Sequence, residues 1–186
     1  DVYKRQLLDI ASEEVIDELR SALAIGLHRD VEVTDGSGRR VSQVYCSALP
    51  VAYSSHGRGS WEPFARLVLQ ASYEAVVLAA VEQASAGGSN TVLLTRIGGG
   101  VFENGDDWID SAIVRAMDLV KDAGLEITFV AHRAATPGVQ AIVDGYSAAA
   151  MPTVGEGLAR AQSGVKATGT RIDPAATIAA KDADRR

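Results

Sequence analysis

Cysteine, aromatic residues and long apolar runs are all scarce in this chain. A single cysteine, Cys46, excludes an internal disulfide, and nothing around it has metal-ligand spacing. A reducing, cytoplasmic setting is therefore expected, with no metal and no cofactor. Aromatic residues make up 5% of the sequence against 47% hydrophobic residues, so the core must be largely aliphatic and alanine-rich. No run approaches the ~18 apolar residues of a membrane span, and no membrane partner is expected. Basic residues are scattered and the net charge is −6, which disfavours nucleic-acid binding. The histidines, His28, His56 and His132, are far apart, and only His56 falls in a loop suited to acid–base work. The asparagines are Asn90 and Asn104 alone.

What remains is enough for one domain with a substantial core. Asp1–Gln6 reads as the translation of a transposon end used to tag sequencing fragments, and is set aside from fold reasoning. On that reading the natural protein extends upstream. Ser12, Glu13 and Glu14 open an amphipathic helix whose inner face is expected at Val15, Ile16, Leu19, Ala22 and Leu23, ending by Gly26. Leu27–Thr34 and Val41–Leu49 alternate as strands around Asp35-Gly36-Ser37-Gly38, a link too short for a parallel crossover, so they predict an antiparallel hairpin. After the Val51–Ser60 loop, Ser60 is expected to cap a helix over Trp61–Ala84. Its inner face is expected at Trp61, Phe64, Val68, Ala71, Ala75 and Ala79, and its Val76–Val81 stretch is apolar all round. Thr91–Ile97 and Leu125–Ala131 read as strands on either side of a second long helix, with Gly124 as its stop. Long helical crossovers predict parallel neighbours. From 136 onward the pattern degrades into a tail, with short helices conceivable at Val139–Gly145 and Gly155–Gln162.

The most informative stretch is Thr91–Trp108, a strand that runs into Gly98, Gly99 and Gly100 and then a helix. Glycines let backbone N–H groups approach an anion, and a helix N-terminus adds positive potential. Asp106 and Asp107 suit that dipole too and compete for it. The stretch is no Walker loop, since no Lys-Ser/Thr pair follows, and Glu103 breaks the dinucleotide glycine pattern. Phosphate binding and a purely structural turn both remain open on residue types. If the flanking strands are parallel, the loop holding Tyr53 opens at the same sheet end, and Tyr53 or Phe102 could stack on a base or ribose; a core plug is the plainer role for Phe102. Cys46 suits a small buried hydrophobe, and Glu74 the solvated end of a polar stripe.

Three segments in order, CSALPVAYS at Cys46–Ser54, WEPFARLVLQASYEAVVLAA at Trp61–Ala80 and LLTRIGGGVFENGDDWIDSAI at Leu93–Ile113, resemble a bacterial group of macrodomain-like proteins. In macrodomains a Gly-x-Gly-Val-Phe/Tyr-Gly loop wraps the diphosphate of ADP-ribose with backbone N–H groups. Gly98, Gly100, Val101 and Phe102 match it; Gly99 replaces a usual Thr or Ser, and Glu103 stands where glycine is common. The resemblance implies an α/β fold, a three-layer α/β/α with a mixed, mostly parallel central sheet, incomplete at the N-terminus, over residues 7–135. It implies binding of ADP-ribose or a related nucleotide diphosphate by Gly98, Gly99, Gly100, Val101, Phe102 and Asn104, with Ser47 and Tyr53 from the neighbouring loop. The family's Asn-rich second loop has no counterpart here, so hydrolysis of ADP-ribosyl bonds is an expectation for a longer parent only. The alternative is a non-catalytic structural or interaction module. Its glycine loop would be a tight turn, and its Val76–Val81 face would be covered by a partner or a missing N-terminal segment.

Overall fold

The computed structural model describes residues 12–131 and 134–147. Asp1–Gln6, His132, the 155–162 segment and the rest of the tail beyond 147 lie outside the described residues. The protein is mixed α/β: helices α1 (Glu13–Ser21), α2 (Glu62–Ser85), α3 (Asp106–Val120) and α4 (Pro137–Ser147), and strands β1 (Gly26–Glu32), β2 (Arg40–Tyr45), β3 (Thr91–Thr95) and β4 (Glu126–Val130).

The α2 sequence is apolar on nearly every side, and the fold buries it on nearly every side: α1 and α3 pack along it and β3 lies against it. By length and composition α2 is apolar enough to cross a membrane, which corrects the expectation that no stretch approaches such a span. Yet 67% of its apolar window is buried inside the protein. Leu69, Tyr73 and Val77 are fully buried, with Ile109, Ile113 and Ala116 of α3 in the same cluster. Trp61, rather than Ser60, occupies the N-cap position; Arg58–Ser60 is a 3-10 turn and Pro63 takes the first helical turn, where its missing N–H costs nothing.

α1 departs from its expected face. Val15 and Leu19 are 43% and 44% exposed, and Arg20 is the buried residue. Arg20 lies over α2, donates to Gln70 at 2.8 Å and pairs with Glu13 and Asp17 of its own helix. α1 docks through an arginine stem because the α2 surface it meets presents a polar Gln70.

β1 and β2 form the expected antiparallel hairpin, with a bulge at Arg29–Asp30 where Asp30 is left-handed. β3 and β4 pair in parallel, Thr91 opposite Glu126 through Thr95 opposite Val130. On β3, Val92 and Leu94 are buried and Thr91, Leu93 and Thr95 exposed, so one face of this pair is covered and the other bare among the described residues. The single mixed sheet expected from the crossovers is not formed. β2 shares no ladder with β3; there are two two-stranded sheets. Strands share hydrogen bonds only at about 4.8 Å spacing, and a slot of about 790 Å³ separates these two. The short helix expected at Val139–Gly145 is present as α4, which packs on α3 and buries Val139 and Ile142.

Candidate functional site

The residue at 98 must be glycine. Its φ is +84°, and a Cβ there would stand 2.7 Å from the Ala48 Cβ and 3.1 Å from the Asn104 side-chain nitrogen. Gly100 is also left-handed, at φ +59°, but faces open space. Gly99 is extended and a Cβ would meet nothing closer than 3.4 Å, so its glycine is not required by packing. These angles fold Gly100–Phe102 into one 3-10 turn.

The turn's hydrogen bonds divide in two. The N–H groups of Phe102, Glu103 and Asn104 donate to the carbonyls of Gly99, Gly100 and Gly98. The N–H groups of Gly99, Gly100 and Val101 donate to none of the described residues. Val101 is 71% exposed. Glu103 is left-handed at φ +56°, which explains why glycine suits this position; its side chain is exposed.

Asn104 holds the two loops together. Its Nδ2 donates to Leu49 O at 2.8 Å and Gly98 O at 2.9 Å. Its Oδ1 is buried and accepts no hydrogen bond from the described residues. Tyr53 and Phe102 meet edge to face with ring centroids 6.2 Å apart. The loops after β2 and β3 thus do open together, and Tyr53, 72% exposed, stands over the glycine turn. Ser47 faces its own side: its Oγ donates to Ala48 O and its carbonyl accepts from Ser72. The contact at this point comes from Ala48, whose neighbour role no sequence pattern signals.

Asp106 and Asp107 do not fill the turn. Asp106 pairs with Arg96 at 2.9 Å, and Asp107 pairs with Arg66. Arg96 also holds Asp110, and its side chain is 18% exposed. Burial alone would lower its pKa, but the hydrogen bonds it donates to Asp110 and Asp106 raise it overall. Arg96 sits beside Gly99, so the turn has a fixed cation for a neighbour. Arg96 lies off the helix, 10 and 14 residues before Asp106 and Asp110, so no helical spacing in the sequence signals this pairing. Arg58 and Arg66 flank the buried Trp108 ring at 4.9 and 5.7 Å. Trp61 donates from Nε1 to Ser54 at 2.7 Å, with His56 edge-on 6.3 Å away.

Cys46 is half-buried, and burial pushes its thiol above the ordinary value, which disfavours the nucleophilic thiolate. Glu74 is buried, not the solvated end of a stripe, and pairs with Arg115. Among the described residues no group of three or more His, Cys, Asp or Glu is placed to hold a metal ion.

No family model, curated protein or solved structure matches this chain.

Proposed function

We propose that this chain is a macrodomain-like, three-layer α/β/α module that binds ADP-ribose or a related nucleotide diphosphate at Gly98–Phe102. The observation that carries the reading is the row of N–H groups from Gly99 to Val101, left without partners among the described residues by a turn that only glycine at 98 permits. Unpaired backbone donors at a strand-to-helix turn suit phosphate oxygens. Arg96 beside the turn supports the same charge, and its ion pairs draw Asp106 away. Tyr53 and Phe102 offer faces for a ribose or base, and the Asn104 Oδ1 is a buried acceptor for a ligand hydroxyl. The Glu103 side chain is exposed.

A second reading has its own observation. The turn is closed by three internal backbone bonds and by the Asn104 amide, so it is also a competent structural corner. Calorimetric titration of ADP-ribose separates the two. Micromolar binding, about −8 kcal/mol, abolished by Gly100→Glu in a chain of unchanged fold, supports the ligand reading. No heat from the folded chain favours the structural corner.

A further inference from the structure

We propose that the cleft between the β1–β2 hairpin and β3 binds one straight-chain fatty carboxylate, its alkyl chain lying along α2 and its carboxylate at Arg29 and Arg40. This does not rest on the nucleotide reading. The cleft is walled by side-chain faces. Leu27 and Val44, cross-strand partners in the hairpin, line one wall. Val92 and Leu94, the covered face of β3, line the other. Val76, Ala79 and Ala80 of α2 form the floor. Leu27, Val92, Leu94 and Ala79 border the space and yet are buried, so little water reaches them and the gap between the walls is narrow. A methylene chain is thin enough for such a gap.

The two ends of the cleft differ, which orients the ligand. The charged residues that line it, Arg29, Asp30 and Arg40, gather at the end where Arg29 reaches Glu82 of α2 at 2.9 Å. Arg40 is held there by Asp30, also at 2.9 Å. Both ion pairs are exposed and therefore weak. Each guanidinium keeps donors for a further carboxylate. Asp30 and Glu82 balance the two cations formally, so the head is held by exchange of exposed pairs rather than by excess charge. At the other end the Tyr73 hydroxyl is already engaged by Thr95 O and the Ile97 N–H, and Cys46 offers only a weakly polar thiol. That end takes the methyl terminus. From Tyr73 to Gln83, which both line the cleft, α2 runs ~15 Å at ~1.5 Å per residue, the reach of an extended dodecanoyl chain. An apolar trough with polar groups at one end is the general form of a site for such a molecule.

The test follows alkylation of Cys46 by iodoacetamide in the full chain. Cys46 is the only cysteine, lines the cleft and is half-buried, so its rate reports on this space. Dodecanoate, kept below its micellar concentration, is expected to slow the reaction roughly tenfold near saturation. Ala80→Trp fills the floor and should abolish the protection. Dodecanol should bind about tenfold more weakly than dodecanoate, and Arg29→Gln with Arg40→Gln should erase that difference. The arginine variants change exposed side chains, so they keep the test decisive should Ala80→Trp not fold. Alkylation that dodecanoate leaves unchanged or accelerates, in a chain shown folded by circular dichroism, overturns the proposal. Equal protection by dodecanol, or protection that survives in folded Ala80→Trp, overturns it as well.

Discussion

The side-chain amide of Asn104 donates to Leu49 O at 2.8 Å across 55 residues of sequence, and by that bond the loop after β2 is tied to the turn after β3. Asn104→Ala leaves two carbonyls without that donor and is expected to destabilise the fold by about 1–3 kcal/mol. Asn104→Asp is expected to be worse near neutral pH, because a carboxylate then faces the oxygens of Leu49 and Gly98. The excess should vanish as the carboxyl is protonated. Urea denaturation of the three proteins at pH 7 and pH 4 measures it.

Gly98 and Gly99 are adjacent and opposite in tolerance. Gly98→Ala meets the Ala48 Cβ in a left-handed backbone, and an expected loss of roughly 2–4 kcal/mol combines the two costs. Gly99→Ala should change stability by less than about 1 kcal/mol. Ala48→Gly should restore part of the Gly98→Ala loss and none of its backbone component. Thermal midpoints of the single and double variants give the partition.

Glu103 adopts the left-handed region without being glycine. Glu103→Gly is expected to stabilise the chain by up to about 1 kcal/mol despite glycine's larger unfolded entropy. If Gly98–Val101 holds a diphosphate, the same variant should bind ADP-ribose more tightly, since a carboxylate leaves the vicinity. A tighter dissociation constant in low salt, shrinking in high salt, is the expected result.

Tyr73 carries a pH dependence. Its hydroxyl donates to Thr95 O at 3.1 Å and accepts from the Ile97 N–H at 2.8 Å. Burial pushes the phenol up from 10 to about 12. The folded value is raised, so the contribution is whole below pH 10 and is lost as pH climbs toward 12; across that window it amounts to roughly 2–3 kcal/mol. Tyr73→Phe should be less stable than the parent at pH 8, and the gap should narrow between pH 10 and 12. Unfolding curves at pH 8, 10 and 11.5 read the difference directly.

Local order was legible where one residue type has one physical use. The hairpin follows from alternation around a four-residue turn, and α2's burial from its lack of a polar side. Tyr53 and Phe102 do meet, but the shared sheet from which their loops were expected to open is not formed. Partnerships across long separations were not legible. Glu74 looks solvated because its neutralising Arg115 is 41 residues away, on another helix. Val15 and Leu19 look like an inner face until Arg20 finds Gln70, 50 residues on. The separation of β2 from β3 has no periodic signature, because a strand's alternation records which face is buried and not which edge is bonded.

Both tryptophans of the chain, Trp61 and Trp108, lie at the glycine-turn end, one hydrogen-bonded to Ser54 and the other between two guanidinium groups. The intrinsic emission of the protein is therefore a local signal. It registers events among these loops, which gives the molecule a built-in optical gauge of its own candidate site.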